Sequence, residues 1–138
     1  MSEPGSTIAQ QIAKAAIEFE HQRTGHAPRS AVVVMGGDTL AITLHGVLSP
    51  AEEALLKTPT GAARLQELHR ELFAAGYARL RSEITRITGV DVRDATSEID
   101  TGAGAVVKVF APGVVVQVFL LAEPVATESW AEGDRPAL

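Results

Sequence analysis

Histidines and carboxylates are the residues of this 138-residue chain that could do chemistry. No two of the four histidines, His21, His26, His45 and His69, have the four-residue spacing that directs two imidazoles of a helix at one ion. His69 borders the apolar stripe of a predicted helix, so we expect it on that helix's flank. His21 and His26 lie near a helix end, where a positive charge interacts favourably with the helix dipole. The sequence therefore predicts no metal site and no cofactor.

Three acidic residues could form a carboxylate pair for general acid and base catalysis. Asp94, Glu98 and Asp100 have the even spacing that puts side chains on one face of a strand. Alternating acidic residues more often protect an exposed sheet edge from aggregation. The chain has no cysteine and no G-x-S-x-G segment. We therefore expect no catalytic residues and a protein that is not an enzyme, with a carboxylate-dependent hydrolase as the enzymatic alternative.

Arginines provide the candidate binding chemistry. Arg64 and Arg70 belong to a long predicted helix and Arg29 precedes a predicted strand, so together they could contact an anion or small ligand between helix and sheet. Glutamates between the helical arginines favour a solvent-exposed face of ion pairs instead. The glycine-rich Thr101–Gly104 precedes a strand rather than a helix, which indicates a hinge or bulge and not a phosphate loop.

Composition excludes several function classes. A net charge of −5 and an aromatic content of 4% argue against binding to nucleic acid, which requires basic and stacking surfaces. The absence of cysteine favours an intracellular protein. The first residues lack the basic-then-apolar pattern of a signal peptide, and the longest apolar run, Val114–Ala122, is too short to span a bilayer. We expect a cytoplasmic protein without direct membrane insertion.

Three helices are predicted from capping signals and apolar periodicity. Ser6 or Thr7 caps a first helix that ends at Thr24, before Gly25. Ser49–Glu52 has the capping-box pattern that begins a short second helix. The third, Thr60–Gly89, would be roughly 40 Å long. Its predicted apolar stripe consists of Leu65, Leu68, Leu72, Gly76, Leu80, Ile84 and Ile87.

The remaining segments predict an antiparallel sheet. Ser30–Met35 and Thr39–His45 form a hairpin around Gly36-Gly37-Asp38. Val90–Ile99 is a polar strand, and Ala105–Phe110 and Val114–Leu121 could form a second hairpin. The expected fold is an α+β two-layer sandwich of four or five strands with helices on one face, in the order α-β-β-α-α-β-β with an optional last strand. It is expected to occupy residues 7–122 as a single domain, between a disordered lead (1–6) and a disordered acidic tail (123–138).

The length of the third helix predicts self-association. The helix is longer than a compact domain of this size covers, so part of its face is expected to contact another molecule. Ala74, Ala75, Gly76 and Ala78 form a patch of small residues at its centre. A glycine inside a helix costs about 1 kcal/mol relative to alanine, which indicates close packing. A homodimer is predicted through Leu72, Phe73, Gly76, Tyr77 and Leu80, the alternative being that the chain's own sheet makes that approach.

Residues 7–122 resemble the bacterial MpsC domain, which is named after the C component of a sodium-translocating, membrane-potential-generating system. The most specific segment is Gly46-Val47-Leu48-Ser49-Pro50-Ala51-Glu52. The resemblance continues with a first helix that contains I-x-x-A and ends at Gly25, a long arginine-bearing helix that ends at Ile87-Thr88-Gly89, and a final strand at Val118–Leu121. One departure is the additional length around Gly102–Gly113, where the family has a short loop.

This resemblance implies a cytoplasmic α+β protein linked to a membrane cation or inorganic-carbon uptake system, and it transfers no catalytic residues. The leading hypothesis is therefore a non-enzymatic accessory protein, homodimeric, with a membrane transport complex as a possible partner. The hypothesis from another class is a small-ligand or anion sensor that uses Arg29, Arg64 or Arg70.

Overall fold

The structure is a computed structural model that describes residues 7–102 and 113–133. Its elements are α1 (Ile8–Thr24), β1 (Ser30–His45), α2 (Pro50–Leu55), α3 (Pro59–Thr88), β2 (Val92–Ile99) and β3 (Val115–Gly133). The strands form a three-stranded antiparallel sheet in the order β1-β3-β2. Helix α1 packs on β1 and β3, α3 packs on β2, and the two helices contact each other. The predicted α+β class is confirmed.

The ends of the helices follow from local sequence, as predicted. Thr7 caps α1 by accepting a hydrogen bond from the Gln10 N–H (3.1 Å), and Gly25 ends the helix with a left-handed φ of 77°. Ser49 begins α2 with a complete capping box. Gly89 ends the 30-residue α3 in the same left-handed conformation as Gly25. These signals act within one turn of helix and need no tertiary contact.

The predicted first hairpin is confirmed as a reversal of the chain but not as two separate strands. β1 is continuous over 16 residues, because Gly37 pairs with Val125 of β3. A straight strand of this length would hold its ends roughly 50 Å apart. Instead the Arg29 N–H donates to the His45 carbonyl at 2.8 Å, so β1 turns back on itself. The register with β3 shifts on both sides of Gly37, whose φ is 55°.

The predicted disordered tail is wrong for residues 123–133. β3 continues to Gly133, and its second half pairs with residues 30–37 of β1. This pairing satisfies the backbone groups that the two segments direct at each other, and Val125 and Trp130 pack against the core. Within residues 7–102 and 113–133 the sheet has three long strands, so the predicted four or five are not confirmed. The predicted lead, the strand Ala105–Phe110 and residues 134–138 lie outside the described residues.

The buried stripe of α3 differs from the predicted one. Leu65, Leu80 and Ile84 are buried as predicted, but Leu68 is 43% exposed. The stripe runs instead through His69 and Phe73, which makes the prediction of His69 on the helix flank wrong. Steps of four from Leu65 to Phe73 keep these side chains on one side of the helix.

Alternate residues of β1 and β3 face the helices. The buried positions are Ala31, Val33, Met35, Leu40, Ile42 and Leu44 in β1, and Val115, Gln117, Phe119 and Leu121 in β3. The positions between them are half-buried or exposed. The core thus lies between the helices and one face of the sheet, and the other face is turned away from it.

Candidate functional site

Helices α1 and α3 approach each other closely at Gly76 of α3. A Cβ atom at this position would lie 2.7 Å from Cζ of Phe19 in α1 and 3.2 Å from Cδ of Arg23. The Arg23 guanidinium stacks on the Phe19 ring, 4.8 Å from its centroid. The absence of a side chain at Gly76 therefore serves contact within the chain. The sequence predicts that Gly76 contacts either a second copy or the chain's own sheet. The contact observed at Gly76 is with α1 of the same chain.

The other predicted self-association residues also contact their own chain. The Phe73 ring lies 6.4 Å from Phe119 of β3 and 5.7 Å from Tyr77, measured between ring centroids. Phe73 and Leu80 are buried, and Leu72 and Tyr77 are half-buried. Self-association through this part of α3 stays a prediction, with Leu72 and Tyr77 as its accessible members.

A groove between α1 and α3 opens next to this helix crossing. It has a volume of about 240 Å³ and is lined by Ala15, Glu18, Phe19, Gln22, Arg79, Leu80 and Glu83. Its base is apolar and its rim carries charges of both signs. A hydrogen bond from Arg86 lowers the pKa of the Glu83 carboxyl. The groove is smaller than the roughly 300 Å³ at which typical ligand cavities begin, so it suits a side chain of a partner better than a cofactor.

The arginines of α3 are largely committed to carboxylates. Arg70 donates from Nε and Nη2 to the two carboxylate oxygens of Glu98 in β2, at 3.3 and 3.2 Å. Arg81 binds Asp91 in the same two-pronged way, at 3.1 and 2.9 Å. These contacts agree with the ion-pair interpretation of the helix face.

The structure does not join the three candidate anion-binding arginines. Arg64 is exposed on α3, and Arg29 is exposed at the start of β1, where its side chain packs against Gly46. Arg70 is held at β2, and β3 separates β2 from β1 in the sheet. An anion held by all three side chains is therefore not supported.

A buried ion pair in α1 was missed by sequence reasoning. Glu20 is fully buried and pairs with Arg23, whose side chain is 10% exposed. Within the described part of the chain, Glu20 Oε2 and the Arg23 Nε and Nη1 atoms have no hydrogen-bonding partner. Opposite charges three residues apart share one helix face, which is the signal that could have identified the pair.

A second missed pair joins α2 to α3. His69 Nε2 lies 3.2 Å from Glu52 Oε2, while Glu52 Oε1 accepts the Ser49 N–H at 3.1 Å. Burial raises the pKa of the Glu52 carboxyl, but the hydrogen bonds from Ser49 and His69 outweigh it and leave the pKa below its usual value. The capping box therefore also attaches the short helix to the long one.

The three acidic residues of the predicted carboxylate cluster make separate contacts within the chain. Glu98 binds Arg70, Asp94 Oδ1 accepts its neighbour's N–H (Ala95, 2.8 Å), and Asp100 Oδ1 accepts the Gly102 N–H at 2.8 Å. Within residues 7–102 and 113–133 no group of three or more acidic or histidine side chains could hold a metal ion. In the same ranges no helix is long and apolar enough to cross a membrane.

Comparisons with known proteins give one family and one curated relative. The family model described as "Na+-translocating membrane potential-generating system (MpsC)" matches residues 5–111. The "Uncharacterized protein YbcI" of Bacillus subtilis (strain 168) is 26% identical over 110 residues, which cover 80% of this chain and 89% of the relative. No solved structure matches the chain.

Proposed function

The chain belongs to the MpsC family, and from this premise we propose that it is a non-catalytic accessory protein of a membrane system that transports a cation or inorganic carbon. The observation that carries this proposal is the family match, which covers residues 5–111. The family description names a Na⁺-translocating, membrane-potential-generating system. The proposal includes a cytoplasmic location, a homodimer and a membrane transport complex as the partner.

The arrangement of polar side chains supports a binding role over a chemical one. The carboxylates that sequence analysis considered for catalysis bind an arginine or backbone N–H groups of their own chain. The groove between α1 and α3 offers an apolar base with a charged rim, which is suitable for a protruding side chain of a partner.

The test is a recovery experiment on membranes. The affinity-tagged chain is expressed in its native cells, membranes are solubilised in mild detergent, and proteins bound to the tag are quantified by mass spectrometry. We expect enrichment of subunits of a cation or inorganic-carbon transporter. The control is a tagged acidic protein of similar size and charge. Equal recovery of membrane proteins by both baits would contradict the proposal.

The alternative function is a small-ligand or anion sensor. Arg29 and Arg64 are exposed and thus accessible to a solute. A ligand that binds only the folded chain raises its melting temperature with concentration. Thermal unfolding in millimolar phosphate, sulfate or bicarbonate, at constant ionic strength, separates the two hypotheses. A rise that disappears in both Arg29→Ala and Arg64→Ala would favour the sensor, and we expect no such rise.

A further inference from the structure

The face of the sheet that points away from the helices is apolar. Two of the large hydrophobic residues most exposed in the described ranges, Val34 (53%) and Leu120 (39%), lie on it. The strand register places Thr39 beside Leu120 and Ala41 beside Val118. We call this surface the outer sheet face. Its positions in β1 and the first half of β3 are Val32, Val34, Thr39, Ala41, Thr43, Val116, Val118 and Leu120.

None of these outer positions carries a charge. An antiparallel sheet with one face in water normally alternates apolar and polar residues, whereas here valine and leucine occupy both sides of the central strand β3. Charged residues border the face: Asp94 lies beside Leu120 and Glu98 beside Val116 in the edge strand β2, and Asp38 adjoins Thr39 in β1. A continuous apolar surface with a charged border is typical of an interface with another protein.

We propose that the outer sheet face is covered by the same face of a second copy of the chain. Sheets of two copies would stack face to face about 10 Å apart, related by a two-fold axis. This arrangement directs α1 and α3 of both copies away from the interface and leaves the groove between them open. The inference does not depend on the association with a membrane system.

The distribution of charge on the chain favours a second copy as the partner that covers the outer sheet face. Each chain carries a net charge of −5, so two copies approach each other most easily where no like charges are opposed. The uncharged outer sheet face meets this condition, whereas the exposed sides of the helices carry charges of both signs, among them Glu18, Glu67 and Arg64. An anionic lipid surface is a poor occupant, because it attracts clustered lysine and arginine and this face has aspartate and glutamate at its border.

The size of the face sets the expected affinity. Its eight named positions per copy are fewer than the roughly 20–30 residues a side of a standard interface. We therefore expect a dimer that dissociates in the micromolar range. Sedimentation equilibrium of the full chain between about 1 and 300 µM covers this range.

The test compares lysine substitutions at leucines of matched exposure. Leu120→Lys places a charge on the outer sheet face, while Leu68→Lys, at a leucine of α3 that is 43% exposed, is the control. We expect Leu120→Lys to raise the dimer dissociation constant at least tenfold and Leu68→Lys to leave it unchanged. Thr96→Arg is a second variant at an exposed position beside Val118, where a long side chain does not disturb the core. Circular dichroism verifies the fold of each variant.

Three results would overturn the proposal. The first is a native chain that remains monomeric at 300 µM. The second is a dimer that Leu68→Lys weakens more than Leu120→Lys, which would assign the interface to α3. The third is a dimer whose dissociation constant changes in neither Leu120→Lys nor Thr96→Arg.

Discussion

Gly76 shows how one missing side chain sets the distance between two helices. Alanine is the better helix former by about 1 kcal/mol, but its Cβ would lie 2.7 Å from the rigid, buried ring of Phe19. Relief of such overpacking typically costs about 1–3 kcal/mol. Because the better helix propensity of alanine offsets about 1 kcal/mol of this cost, we expect Gly76→Ala to lower the free energy of unfolding by about 1 kcal/mol, measured by urea denaturation.

The source of this cost can be isolated by a double-mutant cycle. In a Phe19→Leu background the ring is absent, so Gly76→Ala is expected to be less destabilising there than in the native chain. If Gly76→Ala proves neutral or stabilising in the native chain, the close approach of Phe19 is not the reason for the glycine.

Glu52 is expected to make the free energy of unfolding depend on pH. Its pKa is below the usual 4.5 in the folded chain, so it binds fewer protons there than in the unfolded chain. Its contribution to stability is therefore fully present above pH 4.5 and is lost as the pH falls through the lowered pKa. Glu52→Gln retains a residue that completes a capping box but removes the titrating group.

We expect Glu52→Gln to flatten the loss of stability between about pH 5 and pH 3, measured by urea denaturation at each pH. Glu53→Gln, at the exposed neighbouring position of α2, is the matched control and should leave the pH profile unchanged. Identical profiles for the native chain and Glu52→Gln would show that ionisation of Glu52 does not stabilise the fold.

His69 marks the limit of sequence reasoning at the residue scale. The capping box of Ser49 and Glu52 was predictable, because its hydrogen bonds join residues three apart. The burial of His69 was not, because it requires α2 to fold back onto α3 and place a carboxylate 17 residues away in sequence beside the imidazole. Local signals thus identify caps, while pairs between elements depend on packing.

At the scale of elements, the second half of β3 is expected to be essential to the sheet. Residues 125–133 pair with the first half of β1, and Glu128 Oε1 also accepts the Ala9 N–H at the start of α1 (2.7 Å). Removal of residues 123–138 would leave β1 with unpaired backbone groups and uncover Ala31 and Val33. We expect the shortened chain to lose most of its cooperative thermal unfolding transition, measured by circular dichroism.

A milder change tests the same strand. Trp130→Ala removes an indole that packs against the core, and it is expected to destabilise the chain by about 2–4 kcal/mol. Ser129→Ala, at an exposed neighbouring position, is its control. If the chain that lacks residues 123–138 unfolds cooperatively and is as stable as the native chain, that result would instead agree with the domain of residues 7–122 predicted from sequence.

The error about this strand has a physical explanation. Proline, glycine and acidic residues in 123–133 favour disorder when the segment is considered alone. Its order comes from a partner strand about a hundred residues earlier, and single-segment composition contains no information on that partner. The same applies to β1, whose Gly36-Gly37 predicted a turn correctly while the continuous pairing with β3 depended on a distant strand.

At the scale of the whole molecule, the sequence predicted the α+β class and the face of the sheet that is buried against the helices. Helical periodicity and strand alternation were sufficient for an α+β sandwich, because both patterns report which side of an element is buried. The apolar outer sheet face was not recognised, since valine-rich runs such as 32–34 look the same whether one or both sides are covered. The length and small residues of α3 predict self-association through that helix instead, but the structure places Gly76 and Phe73 in contacts within the chain.

The strand order has a consequence for folding during synthesis. β3 is the middle strand of the sheet and also the last of the described elements to leave the ribosome. Until it emerges, β1 and β2 have no strand between them, and the pairing of Ser30 with Gly133 must close a loop of 103 residues (133 − 30). Pairings this distant in sequence form slowly. The nascent chain therefore passes through a stage in which preformed helices cover an incomplete sheet with unpaired edges, which is the stage at which a chaperone would act on it.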